Sequence, residues 1–239
     1  MGQVPRPHAS PLGVIGNGRA ARHFAHYCRL LGLPVYVWSR HHPAPPLAEA
    51  LAACETVVVA IRDDAIVPFI EGSPDLRGKQ LVHFSGSLIT PLAAVAHPLM
   101  AFGPHPYDLS AYRRIPFVLD AGGTPFAELL PGLPNPSFTI PSAHRPYYHA
   151  LCVMAGNFST LLWRKLFDEL EARFEIPASA AHPYLAQITA NLLADPASAL
   201  TGPLARGDVE AIATNLRALE GDRFQAIYSA FLNAYEQHR

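Results

Sequence analysis

Several side chains are of the types that proton transfer and substrate holding use. His97 directly precedes Pro98, while His149 and Asn157 lie eight residues apart in a long helical pattern, projecting in similar directions about two turns from each other. An imidazole exchanges protons near neutral pH, which suits general acid–base work. Arg206, in the loop Leu200-Thr201-Gly202-Pro203-Leu204-Ala205-Arg206-Gly207-Asp208, has the planar fork that grips a carboxylate, or else pairs with Asp208 or a neighbouring helix end. Ser85-Gly86-Ser87 offers hydroxyls and N–H groups after an apolar run, or is simply a polar turn.

The start of the chain shows where a nucleotide would bind. The apolar run Leu12-Gly13-Val14-Ile15 breaks into Gly16-Asn17-Gly18-Arg19-Ala20-Ala21 and restarts as a helix. Strand, Gly-x-Gly-x-x-Ala and helix make up the turn of a dinucleotide-binding βαβ unit. Gly16 permits the tight turn, Gly18 lets the backbone approach a pyrophosphate, and Ala21 keeps helix and strand close. The helix N-terminus meets the phosphate charge. Ala21, Phe24, Cys28 and Leu31 form its apolar stripe, with Arg22, His23, His26 and Arg29 assigned to the other faces. After the second strand, Val35-Tyr36-Val37-Trp38, an NAD site would place a carboxylate; here the chain reads Ser39-Arg40-His41-His42. A hydroxyl and a guanidinium suit a 2′-phosphate, so NADP(H) is expected, unless Arg40 is only a solvated loop charge.

The elements that position these residues alternate. Strands are expected at 56–61, 80–84, 114–120 and 137–140, and helices at 45–53, 65–70, 88–96 and 124–130. Asp63 or Asp64 is expected to cap the helix at 65–70, and Ile61 and Arg62 sit at a strand's carboxyl end, where ligands gather in open α/β sheets. The pattern predicts a loose leader at 1–11, a Rossmann-type domain with one doubly wound, mostly parallel sheet at 12–143, and an all-α domain at 144–239. A long helix should run through Phe174, with breaks near Ile176-Pro177 and from Asp195 to Asp208. Asp208 should cap a helix at 209–219, and a last helix should span 222–235.

Composition narrows the function classes. With 239 residues, half of them hydrophobic, the chain can bury a substantial core. A net charge of −1 without a basic stripe gives no footprint for nucleic acid or an anionic membrane. Its apolar runs are too short to span a bilayer and no secretory signal opens it, so a cytoplasmic location is the default expectation. Cys28, Cys54 and Cys152 read as reduced core thiols. His23-x-x-His26 and His41-His42 lack acidic or cysteine companions at zinc-site spacing, so no metal is expected. The helical domain is thin for an isolated core, which suggests a homodimer through its helices.

Three segments together resemble one family: Gly16-Asn17-Gly18-Arg19; His97-Pro98-Leu99-x-x-Phe102; and Tyr148-His149 through Asn157 with Leu200-Thr201-Gly202-Pro203-x-x-Arg206-Gly207-Asp208. The family is the Rossmann-like NADP oxidoreductases with a C-terminal helical domain of unknown function, distant relatives of pyrroline-5-carboxylate reductase and ketopantoate reductase. The resemblance implies a nucleotide along Gly16, Asn17, Gly18, Arg19 and Ala20, with Ser39, Arg40, Ile61, Arg62, Ser85 and Gly86 completing its site, and substrate between the domains against Ser87, Asn157 and Arg206. It places His149 where ketopantoate reductases carry a catalytic lysine, eight residues before an asparagine, here Asn157; a histidine there changes the proton donor, or simply packs under the cleft. His97 is similar to the histidine of a His-Pro-Met motif in prephenate dehydrogenases and is the second candidate donor. The implied activity is NADPH-dependent reduction of a small carboxylate-bearing ketone, ketopantoate first. An imine or opine-type reductase and a non-enzymatic NADP-sensing protein are the alternatives.

Overall fold

The computed structural model describes residues 10–41 and 45–236; most of the expected leader, and His42, lie outside the described residues. It divides into two compact units, residues 1–161 and 162–239. The change from alternating to helical pattern comes near residue 141, and the first turns of the long helix go with the first unit.

In the first unit β1 (Leu12–Ile15), β2 (Val35–Trp38), β3 (Thr56–Val59), β4 (Gln80–His83) and β5 (Ala94–Val95) form a parallel sheet in the order β2-β1-β3-β4-β5. The register sets Ile15 beside Trp38 and Val59, and Val59 beside His83, so four strands end together. β3 is buried along its whole length, as a continuous β-branched run requires in a sheet covered on both faces. Val58 joins Val14, Phe24, Cys28 and Phe117 on one side; Val57 and Val59 join Ile15, Leu51, Ile66 and Leu76 on the other. The connecting helices are α1 (Arg19–Leu30), α2 (Leu47–Ala50) and α3 (Asp63–Glu71).

The expectation of a single sheet needs correcting. β6 (His97–Pro98), β7 (Phe117–Asp120) and β8 (Ser137–Ile140) form a separate three-stranded sheet, β6 antiparallel to β7, with α4 (Leu109–Arg113) and α5 (Phe126–Leu129) between the strands. The helix expected over 88–96 is absent as well: Thr90 precedes Pro91, which disfavours helical backbone, and Ala94-Val95 instead extends along β4. His23, placed off the apolar stripe, is nonetheless buried. It lies among Phe102, Tyr107 and Tyr112, its Nε2 at 2.9 Å from the Gly103 carbonyl oxygen and its Nδ1 at 2.8 Å from the Tyr112 hydroxyl.

The long helix comprises α6 (Arg145–Val153), a π-helical turn (Met154–Phe158) and α7 (Ser159–Phe174), the last crossing into the second unit. In the second unit follow α8 (His182–Ala194), α9 (Gly202–Arg206), α10 (Val209–Ala218) and α11 (Phe224–Glu236). Asp208 caps α10 as its position predicts, accepting a hydrogen bond from the Ala211 N–H at 3.1 Å.

Candidate functional site

At the common end of β1 to β4 lies a cleft of about 930 Å³. Gly16 opens it with φ +126°, and a Cβ there would stand 2.3 Å from the Ala60 carbonyl oxygen, so only glycine fits. Gly18 precedes α1 without any side-chain cap, no acidic residue occupies the first turn, and a Cβ on Gly18 would meet nothing within 4 Å. The α1 N-terminus therefore presents unpaired N–H groups and partial positive charge to open space, the arrangement that receives a pyrophosphate. Ala21, fully buried, lets α1 approach the sheet.

The cleft is lined by the expected nucleotide positions Gly16, Asn17, Gly18, Arg19, Ala20, Ser39, Arg40, Ile61, Arg62 and Ser85. His41 joins them: the Arg40 Nε donates to its Nε2 at 3.2 Å, setting two basic side chains together beyond β2. Arg62 is exposed and pairs with Asp64 at 3.0 Å. Neither Asp63 nor Asp64 caps α3, contrary to the sequence expectation. Arg62 is the cap residue, both aspartates lie inside the first turn, and Asp63 accepts from the Ser85 hydroxyl at 2.5 Å. The Ser85 hydroxyl also accepts from the N–H groups of Ser87 at 3.3 Å and Leu88 at 3.0 Å, so it holds the turn after β4 in shape.

Gly86 belongs to a different neighbourhood from the other nucleotide positions. A Cβ there would fall on the His149 ring, 2.1 Å from Nδ1, so the missing side chain makes room for an imidazole. His149 in turn meets His97 edge-on with ring centroids 5.6 Å apart, and His97 Nδ1 lies 2.9 Å from the Tyr148 hydroxyl. β4, β6 and α6 thus bring His97, Tyr148 and His149 together next to Ser85, which lines the cleft. Asn157, the other expected catalytic and substrate residue, is exposed within the π turn. In an unbroken α-helix, eight residues would leave it roughly 80° out of phase with His149; a wider π turn reduces that offset. Ser87 is half-buried in the turn after β4. Arg206 closes α9 in the second unit, just before left-handed Gly207.

Beneath the histidines is a buried charge that sequence reading missed. Arg145, fully buried, sets its Nε at 2.8 Å and its Nη2 at 2.7 Å from the same Asp120 oxygen, tying the start of α6 to the end of β7. Nothing in the sequence distinguishes Arg145 from a solvated first-turn arginine. His83 was legible as a lone imidazole in an apolar strand, yet only the fold sets it near Arg145. Burial pushes the His97 pKa down to about 4, with His149 and Arg145 adding to the effect. Burial and then Arg145 bring His83 to about 4 as well. Burial raises the Tyr148 phenol, and neighbouring Cys152 raises it further. The Nδ1 atoms of His83 and His149 are buried with no hydrogen-bond partner among the described residues. Both His97 and Tyr148 are consequently uncharged at neutral pH, and no proton is held there as imidazolium on His97.

Among the described residues, no three or more His, Cys, Asp or Glu side chains are grouped to hold a metal ion, and no helix is long and apolar enough to cross a membrane.

Residues 121–234 match the family model of a domain of unknown function, DUF2520. No curated protein sequence matches the chain. Solved structures do. A Bacteroides fragilis protein assigned to the NADP oxidoreductases superposes with a TM-score of 0.77 at 23% identity, covering 96% of this chain and 99% of that one. Streptomyces aurantiacus imine reductase gives 0.62 at 18% identity, with 95% and 93% covered. The pyrroline carboxylate reductase of Plasmodium falciparum, solved with NADP bound, gives 0.58 at 12%, with 95% and 96% covered. The chain accordingly has the Rossmann-type fold with a C-terminal helical region that these oxidoreductases share.

Proposed function

We propose that this protein is an NADP(H)-dependent reductase of a small carbonyl compound, a carboxylate-bearing ketone such as ketopantoate being the first substrate to test. One observation carries the reading: consecutive residues Ser85 and Gly86 join an uncapped helix N-terminus to a histidine cluster, the first lining the cleft and the second packing under His149. The residues present fit the nucleotide. The N–H groups of the first α1 turn and the bare Gly18 would hold the pyrophosphate, while Arg40 and His41, with no carboxylate beside them, would meet a 2′-phosphate. A bound nicotinamide would supply the hydride.

The chain's own contribution is then placement and a proton. Reduction at carbon leaves an oxyanion, which needs a proton from a group that holds one at neutral pH. Tyr148 keeps its phenolic proton because burial raises its pKa. His97, held neutral, accepts the Tyr148 O–H at Nδ1 in one tautomer and donates to the phenol oxygen in the other; in the second it can return a proton to Tyr148 from Nδ1 as its Nε2 takes one up from water. His149 stands beside them with Nδ1 turned to Gly86.

A second reading, reduction of a C=N bond, is favoured by the uncharged state of His97. An iminium arrives already protonated, and a cluster without positive charge on His97 admits a cation at lower electrostatic cost. The likeness to an imine reductase and a pyrroline carboxylate reductase supports it.

The test is calorimetry with NADPH and NADH, followed by NADPH oxidation with ketopantoate and with cyclic imines in parallel. Tighter NADPH binding and turnover on one arm are expected. Nucleotide binding with no turnover on any arm would favour a sensing role, and no heat with either coenzyme would overturn the proposal.

A further inference from the structure

Two polar side chains at the β4 end of the cleft are tied together, and the tie decides which of them can serve a ligand. Ser85 has one O–H to donate and two lone pairs to accept with. Its O–H goes to Asp63 Oδ2 at 2.5 Å, and its lone pairs take the N–H groups of Ser87 at 3.3 Å and Leu88 at 3.0 Å. The hydroxyl has no capacity left for a nucleotide. Asp63 has: it lines the cleft, and its Oδ1 accepts no hydrogen bond among the described residues. Neighbouring Asp64 has its charge answered by Arg62 at 3.0 Å, whereas Asp63 forms no ion pair among the described residues.

A carboxylate without a cation repels phosphate, so in a cleft that receives a pyrophosphate it must face a part of the ligand that carries hydrogen-bond donors. The strand order says which part. Arg40 and His41 follow β2, the uncapped start of α1 follows β1, and Asp63 and Ser85 follow β3 and β4. In the order β2-β1-β3-β4 these are successive positions across the sheet, spanning three strand spacings, or about 14 Å. A dinucleotide with its 2′-phosphate beyond β2 and its pyrophosphate at α1 therefore carries its second nucleoside over β3 and β4. That nucleoside offers two neighbouring ribose hydroxyls and, on its ring, a carboxamide NH2. The ribose adjoins the pyrophosphate, as β3 adjoins β1. The ring lies further on, towards Gly86 and His149.

We infer that Asp63 is a coenzyme-binding residue whose free oxygen accepts the hydroxyls of the nicotinamide-side ribose while Ser85 fixes its other oxygen, a role that rests on the NADP(H) reading above. A carboxylate gripping a ribose hydroxyl is what NAD sites place after β2. Here that position is basic, and the carboxylate stands after β3 for the other ribose.

The full chain is titrated by calorimetry with three ligands: NADPH; ADP-ribose 2′-phosphate, which keeps the second ribose without the ring; and 2′,5′-ADP, which ends before that ribose. Asp63 is exposed and belongs to neither apolar cluster, so its replacement leaves the core intact. Asp63→Ala should weaken the first two ligands about tenfold or more, the loss of a hydrogen bond to a charged group, and change 2′,5′-ADP less than about twofold. Equal weakening of all three would overturn the inference, assigning Asp63 to the shape of the cleft. Weakening of NADPH alone would overturn it in favour of the carboxamide, and unchanged affinity for every ligand would overturn it outright. Should Asp63→Ala not fold, Asp63→Asn, of the same size and shape, carries the same pattern at about threefold or more. Absence of binding by the unaltered chain to any of the three ligands would instead sink the NADP(H) reading itself.

Discussion

Replacing Asp120 by Asn tests whether the buried Arg145 guanidinium anchors the site. Arg145 is fully buried and both of its contacts go to one oxygen of Asp120, whose side chain is 31% exposed. At this separation the gross attraction is several kcal/mol even at an effective dielectric of about 20. Removing one partner of a buried pair costs about 3–5 kcal/mol, because the charge left behind is uncompensated. Asp120 retains some access to water, so the lower end applies, about 3 kcal/mol, or roughly 6–12 °C in melting temperature for a chain of this size. The assay is urea unfolding of the first unit, followed by Trp38, which packs on Phe69, in a Trp163→Phe background. Asp120→Leu combined with Arg145→Met should be less damaging than Asp120→Asn alone, since an apolar pair replaces an ion pair with no charge stranded. A loss under about 0.5 kcal/mol in Asp120→Asn, or a double variant worse than the single one, would refute the reasoning. The same variant should loosen α6 and weaken any turnover more than nucleotide binding, because α6 carries Tyr148 and His149.

Other expectations follow from the same geometry. Gly86→Ala must displace the His149 ring, and should lower turnover at least tenfold while changing NADPH affinity less than threefold by calorimetry, because the clash is with His149 and Gly86 does not line the cleft. Arg40→Ala should weaken NADPH by about 1.5–3 kcal/mol, the range of a charge-assisted hydrogen bond, and NADH hardly at all; equal weakening would remove the 2′-phosphate assignment. His83 and His97, held near 4 in the folded chain against 6.5 when exposed, bind fewer protons than the unfolded chain between those values. Stability from both is therefore complete above pH 6.5 and falls as pH drops towards 4, by up to about 1.4 kcal/mol per pH unit for each histidine. Urea midpoints at several pH values check this, His83→Asn should flatten the slope, and a profile flat across the window would contradict the burial of both rings.

Most residues that line the cleft at the end of β1 to β4 were legible in the sequence. Gly16, Gly18 and Ala21 are local necessities, because a turn with φ near +126°, a bare helix N-terminus and a close helix contact each demand a particular small residue. Such demands are written within a few positions of one another, as is the absence of a carboxylate after Trp38. Strand β3 and the Asp208 cap were readable for the same reason. The histidine cluster was not. His97 and His149 could be named singly, but their meeting depends on β6 leaving the first sheet for a second one, and on Arg145 and Asp120, twenty-five positions apart, locking α6 to β7. Periodicity reports which face of an element is apolar and is silent about which distant element covers it. That is why His23 read as lying off the apolar stripe, Asp63 as a cap and Arg145 as unremarkable. Burial and electrostatic pairing are properties of the folded chain, and those alone decided which ionisable groups came to lie uncharged beside the cleft.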